Sequence, residues 1–128
     1  MDQERFERLV EEAIEEIPEY FRRKMKNLQV EVRPFAPPDI ARKLGRSSMG
    51  VLGVYQGLPY KHRGPWYGNV MPDRIMIFQR PIENQCRSDE DIRALVGKVV
   101  VHEIGHYFGL SDDELYRLQA ESDRRNPS

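Results

Sequence analysis

The first part of the chain carries apolar residues at the spacing of one helix face. Residues 2–17 have an apolar side chain every three or four positions and glutamates between them, which predicts an amphipathic helix. Pro18 interrupts this pattern, and residues 19–26 are compatible with a further short helical turn. We therefore predict that the chain opens with a helix that buries one side.

Three short segments have the pattern of strands. Residues 28–32 alternate apolar and polar side chains, and residues 51–55 and 74–79 are short runs dominated by apolar residues. Between them, residues 33–50 are rich in proline and glycine and predict a loop that is compatible with one helical turn. Residues 57–72 predict a long surface loop, a kind of segment that is often functional.

Two helix starts follow the last predicted strand and its connector at residues 81–87. Ser88 with Asp91 forms a capping pattern, and the apolar spacing after it predicts a helix from Asp89 to about Tyr107. Gly109 suits the left-handed position that ends a helix. A second capping pattern at residues 111–114 predicts a short last helix.

Composition narrows the class of protein. The 128 residues are 39% hydrophobic and 32% charged with a net charge of −1, which predicts one domain over residues 1–128 and gives no global reason to bind nucleic acid. No apolar run approaches the roughly 18 residues that cross a membrane. A single cysteine, Cys86, excludes an internal disulfide, and the first residues lack a secretory pattern. We expect a cytoplasmic protein with no membrane partner.

The segment His102-Glu103-Ile104-Gly105-His106 is the candidate for chemistry. Four residues advance a helix by about 6 Å and one turn, so both imidazoles lie on one face and can bind one metal at about 2.0–2.1 Å. Glu103 then lies beside the metal, where it can accept a proton from a metal-bound water. The alternative is a pair of core-facing histidines and a solvated glutamate.

A third ligand must approach from another direction. Gly109 permits a reversal of the chain, and Asp112 follows six residues after His106. Two imidazoles and one carboxylate leave a fourth position for water, as a catalytic zinc site requires. Asp112 also suits the start of the last helix through the helix dipole alone, and Asp113 and Glu114 are alternative oxygen ligands. Iron, manganese or nickel would accept the same donors.

The pattern His102-Glu103-x-x-His106-x-x-Gly109-x-x-Asp112 resembles the minimal zincin-like metallopeptidases, small bacterial proteins related to the metzincins. Residues 52–57 and 72–75 are also similar to that family. The resemblance implies an α+β fold in which a small mixed sheet packs on an N-terminal helix and an active-site helix, with a short C-terminal helix. It further implies Zn²⁺ held by His102, His106 and Asp112, with Glu103 as the general base.

Function is expected to follow from this site. We predict a zinc metallopeptidase that acts on a peptide or protein substrate, with strand 74–79 as the sheet edge that pairs with an extended peptide. Tyr67, Tyr107 and Tyr116 are candidates to stabilise an oxyanion, although packing is the ordinary role of each. The sequence leaves the oligomeric state open.

Two other functions stay open at this stage. The first is a zinc-binding regulatory or interaction module with little proteolysis. It is suggested by the small size and by the position of every methionine before the motif, which leaves no metzincin-type Met-turn. The second is a metal-dependent ribonuclease, which is disfavoured by the lack of net basic charge and by the presence of Glu103.

Overall fold

Two helices at the start of the chain follow the predicted pattern. In this computed structural model, the described residues are 1–26, 28–57, 73–111, 113–114 and 117. Helix α1 (Gln3–Glu16) is capped by Asp2, whose carboxylate accepts a hydrogen bond from the Arg5 N–H at 2.8 Å. Helix α2 (Glu19–Lys24) starts directly after Pro18. The proline therefore separates two helices, as expected.

In the described part of the chain, three strands form a central mixed sheet. Its strands are β1 (Gln29–Arg33), β2 (Gly53–Gln56) and β3 (Arg74–Phe78), in the order β1-β3-β2. β1 runs parallel to β3, with Val30 opposite Ile75, and β2 runs antiparallel to it. The three predicted strands and the mixed sheet are confirmed, with ends shifted by one or two residues.

The position of β3 corrects one prediction. We expected strand 74–79 to be an edge of the sheet, but β3 lies between β1 and β2. Its residues Ile75, Met76, Ile77 and Phe78 are all buried, and such a continuous apolar run is typical of a strand with partners on both sides. Among the described strands, the edges are β1 and the half-buried β2, and β2 is the edge that α5 contacts.

Two short helices lie where connections were expected. Helix α3 (Pro38–Lys43), which begins with a proline at its first position, and a 3-10 turn at Ser48–Gly50 occupy the segment between β1 and β2. Helix α4 (Gln79–Asn84) follows β3 without a break, so Gln79 belongs to the helix and not to the strand. The connector that we predicted at residues 81–87 is therefore helical up to Asn84.

Helix α5 (Asp89–Tyr107) has the predicted length and cap. The Ser88 hydroxyl accepts a hydrogen bond from the Asp91 N–H at 3.1 Å. At its end, Gly109 has a φ of 75°, and the N–H of Leu110 donates to the Gly105 carbonyl at 2.8 Å. This bond and the one from Gly109 to His106 form a Schellman motif, which stops the helix as predicted.

The last predicted helix begins at the expected place. The hydroxyl of Ser111 accepts a hydrogen bond from the Glu114 N–H at 3.2 Å, as the capping pattern requires. Residues 113, 114 and 117 are helical. The architecture is thus the predicted α+β arrangement with a small mixed sheet and a C-terminal helix.

Helices cover both faces of the sheet. The main core joins α1 and α5 to β3, and a smaller one lies on the other face beside α3 and is centred on Met76 and Phe78. The main core includes these buried side chains: Phe6, Leu9, Val10, Phe21, Ile75, Ile77, Val96, Val100 and Ile104. Among the described residues, no helix combines the length and the apolar character needed to cross a membrane.

Candidate metal and catalytic site

The last two turns of α5 present His102 and His106 together. Both side chains are exposed, whereas Val101, Ile104 and Gly105 of the same turns are buried in the core. The two imidazole centroids lie 4.5 Å apart, with the ring planes at 70°. The structure therefore places the two histidines on one face of the helix, as the spacing predicts, and excludes a core-facing pair.

Glu103 lies between this histidine pair and the sheet. Its Oε2 accepts a hydrogen bond from the backbone N–H of Tyr55, in β2, at 3.1 Å. The bond is explained by the register of the edge strand. Because the Phe78 N–H donates to the Leu52 carbonyl, alternation along β2 turns the backbone groups of Gly53 and Tyr55 away from β3. Glu103 thus binds one of the backbone groups that β2 turns away from β3.

The environment of Glu103 changes its proton affinity. Burial is the main effect and raises the pKa of the Glu103 carboxyl above its ordinary value of 4.5. The hydrogen bond from Tyr55 opposes this shift and favours the carboxylate, as do the charges of His106 and His102. A half-buried carboxylate with a raised pKa is a stronger proton acceptor than an exposed one.

Gly53 allows α5 to approach the edge strand closely. A Cβ atom at this position would lie 2.6 Å from Cγ1 of Val99 and 3.0 Å from the Met76 carbonyl oxygen. These separations are too short for any side chain, so the contact between α5 and β2 depends on glycine. Val99 precedes Glu103 by one helical turn, and Gly53 therefore sets the distance between Glu103 and the strand.

The described parts of the two flanking segments that resemble the family are in contact. A Cβ on Gly57 would overlap the carboxylate of Asp73, so residues 52–57 and 73–75 approach closely at these two residues. Nearby, the ring of Tyr55 stacks on Tyr107, with centroids 4.5 Å apart and planes at 26°. Tyr107 is buried, so it packs against Tyr55, which is the ordinary role that we expected for a tyrosine.

A cleft of about 510 Å³ opens between α5 and β2. Helix α5 lines one side of the cleft, and residues 51–54 line the opposite wall. The described residues that line it are Leu44, Arg46, Val51, Leu52, Gly53, Val54, Lys98, Val99, His102, Glu103 and His106. The sequence pointed to the last three, whereas the opposite wall becomes visible only in the folded chain.

Comparison with known protein families agrees with this site. The sequence profile of zincin-like metallopeptidases matches residues 25–122, which is more than three quarters of the chain. The chain belongs to this family. The match includes β1, β2 and the whole of α5 with its two histidines. Comparison with the curated proteins gave no match.

A zincin-like metallopeptidase is expected to hold zinc, and the histidine pair fits that ion. Two rings that bind one ion at about 2.0–2.1 Å would have centroids about 5 Å apart, which is close to the observed 4.5 Å. Neutral imidazoles are also suitable donors for zinc. Within the part of the chain that the structure describes, no third ligand-type side chain joins them, and Asp113 and Glu114 are exposed.

Several predicted residues lie outside the described part of the chain. These are the proposed third ligand, Asp112, and the oxyanion candidates Tyr67 and Tyr116. The structure therefore brings together His102, Glu103 and His106, and the role of Asp112 stays a prediction. The hydrogen bond between Glu103 and Tyr55 was missed because no local pattern in the sequence encodes a contact between distant segments.

Proposed function

We propose that this chain is a zinc-dependent peptide-bond hydrolase in which Glu103 is the general base. The observation that carries the proposal is the position of the Glu103 carboxylate, beside two exposed imidazoles and bound to β2, an edge strand among the described residues. An extended substrate on that edge would bring its scissile bond to the carboxylate. The family to which the chain belongs supports the same reaction class.

The residues divide into ligands and a base. His102, His106 and Asp112 would hold Zn²⁺, which, when bound, polarises a carbonyl group and lowers the pKa of water. Glu103 accepts the proton of the attacking water and returns it to the nitrogen of the leaving amine. The hydrogen bond from the Tyr55 N–H holds this carboxylate in place through Oε2. The other carboxylate oxygen is then the one that faces the reaction.

The substrate edge is β2 and not β3. Gly53 turns its N–H and carbonyl groups outward, so a peptide strand can pair with this residue. The N–H of Tyr55, the next outward group, already binds Glu103. A peptide bound at Gly53 therefore passes directly in front of the general base. We therefore propose that the substrate pairs with β2, which faces the cleft, and not with the central strand β3.

The decisive experiment uses Glu103→Gln in the zinc-loaded chain. Glutamine keeps an oxygen that can accept from Tyr55 but cannot act as a base. We expect the variant to retain zinc and to lose about 10²–10⁴-fold in cleavage of a diverse peptide mixture, measured by mass spectrometry. Glu90→Gln, an exposed position in the first turn of α5, is the matched control.

Two results would contradict the proposal. Cleavage that persists in Glu103→Gln at the wild-type rate would remove Glu103 as the base. A wild-type chain that binds one zinc ion and cleaves no peptide would favour the regulatory zinc-binding module instead. The metal content of each sample, measured by elemental analysis, separates this second result from a simple loss of metal.

A further inference from the structure

Two cationic side chains line the cleft beside the histidine pair. Lys98 precedes His102 by four residues on α5, so it lies on the same face at about 6 Å along the helix axis. Arg46 also lines the cleft, and it belongs to the segment between α3 and the 3-10 turn. Among the described residues that line the cleft, Glu103 is the one carboxylate, and its Oε2 is bound to the Tyr55 N–H.

Neither cation is neutralised by a carboxylate in the described part of the chain. Lys98 and Arg46 form no ion pair there, although seven other pairs hold charges elsewhere on the described surface. On α5, the positions one turn from Lys98 are Ala94 and His102, neither of which is acidic. The chain as a whole has a net charge of −1, so this cationic character is local to the cleft.

The direction of the strands places these cations relative to a substrate. Val99 lies against Gly53, and Glu103 lies against Tyr55, so α5 and β2 advance together along the cleft. Antiparallel pairing is the more stable arrangement per residue, and we therefore orient the peptide antiparallel to β2. Residues on the C-terminal side of the scissile bond then extend toward Lys98.

From this charge arrangement we infer that the cleft selects peptides with an acidic side chain within about two residues on the C-terminal side of the scissile bond. The distance follows from an extended chain, which advances about 3.3 Å per residue, against the 6 Å or so between His102 and Lys98. Apolar contacts from Leu44, Val51 and Val99 suit the methylene groups of such a side chain. This inference rests on the proposed hydrolase function.

The test compares cleavage of matched peptides by the zinc-loaded full chain. Peptides with glutamate at the selected position should be cleaved about tenfold faster than their glutamine counterparts, and added salt should reduce the difference. Arg46→Glu combined with Lys98→Glu should abolish this preference or transfer it to lysine-containing peptides. Arg22→Glu combined with Lys26→Glu makes the same change in charge on exposed residues outside the cleft and should preserve it.

The outcomes separate this inference from the proposed function. Cleavage without an acidic preference, a preference confined to the N-terminal side, or a preference that survives the double reversal would overturn the inference alone. Absence of any cleavage would overturn the proposed function; binding of the same peptides, followed by fluorescence anisotropy, would then test the charge selection by itself. An oligouridylate that binds the cleft more tightly than the acidic peptide would overturn the inference in favour of RNA.

Discussion

The carboxylate of Glu103 is bound to the backbone N–H of Tyr55 at 3.1 Å, across 48 residues of sequence. This bond joins the helix that carries the histidines to the edge strand that faces the cleft. The position of the Glu103 carboxylate is therefore fixed by the main chain of the sheet, and it depends on how closely α5 packs on β2. Two glycines, Gly53 in β2 and Gly97 in α5, lie where α5 packs closely on its neighbours.

Gly53→Ala should weaken both the fold and the site. The added methyl group would meet Val99 and the Met76 carbonyl, so α5 must move away from β2. We expect a loss of about 1–3 kcal/mol in the free energy of unfolding, measured with urea, and a loss of peptide cleavage. Gly50→Ala, whose methyl would make only ordinary contacts at 3.6 Å, is the control. Equal stability of the two variants would contradict the close-packing account.

Gly97→Ala should have the opposite sign. Gly97 lies inside α5, and a Cβ there would meet only Cγ2 of Ile17 at 3.6 Å. Alanine favours a helix interior over glycine, so we expect a gain of about 0.5–1 kcal/mol in the free energy of unfolding. Urea denaturation at a single pH measures the free energy of unfolding of both Gly53→Ala and Gly97→Ala. Destabilisation by Gly97→Ala would show that a methyl group does not fit between α5 and Ile17.

Asp112→Ala should weaken zinc binding without unfolding the chain. Removal of a third ligand is expected to lower zinc affinity by about 100-fold or more, since two imidazoles would remain. Competition with a coloured chelator measures the affinity. Asp113→Ala is the matched control, because its carboxylate is the adjacent one and is exposed. A larger loss in the Asp113 variant would reassign the ligand to that position.

The stability of the sheet should depend on pH through Glu31. Hydrogen bonding to Arg33 is the main cause that lowers the pKa of the Glu31 carboxyl below 4.5, and the charge of Arg74, 2.9 Å away, contributes as well. This stabilisation is therefore complete above pH 4.5 and disappears as the pH falls through the lower pKa of the folded chain. The group is partly exposed, so we expect an effect of less than about 1 kcal/mol.

Glu31→Gln measures this contribution directly. Its free energy of unfolding should fall below that of the wild type at about pH 7, and the difference should shrink toward about pH 3.5. Glu11→Gln changes an exposed carboxylate on α1 and controls for the loss of one charge. A difference that is the same at both pH values would show that the carboxylate charge of Glu31 is not responsible.

The features that local chemistry encodes were predictable. Helix α5 was predicted with its Ser88 cap and its Gly109 stop because caps and apolar spacing act within a few residues. The same holds for the pairing of His102 with His106, which follows from the pitch of a helix. The family resemblance on these residues is confirmed by the profile match.

Features that depend on distant segments were not predictable in the same way. The central position of β3 was missed because the sequence shows that Ile75–Phe78 is apolar but does not show which strands flank it. Helix α3 forms in a proline-rich segment because its prolines stand at the helix start, where they are tolerated. The cationic character of the cleft depends on Arg46 and Lys98, which are 52 positions apart in the sequence and line the same cleft.

Helix α1 shows that the family profile and the folding unit have different limits. The profile match starts at residue 25, yet Phe6 and Val10 are buried in the same core as Val96 and Val100 of α5. Ion pairs from Arg5 to Asp89 and from Arg93 to Glu12 fasten the two helices on their exposed sides. The packing that supports α5 thus includes a helix outside the profile match. Truncation of the chain at residue 25 would remove the buried partners of the helix that carries His102 and His106.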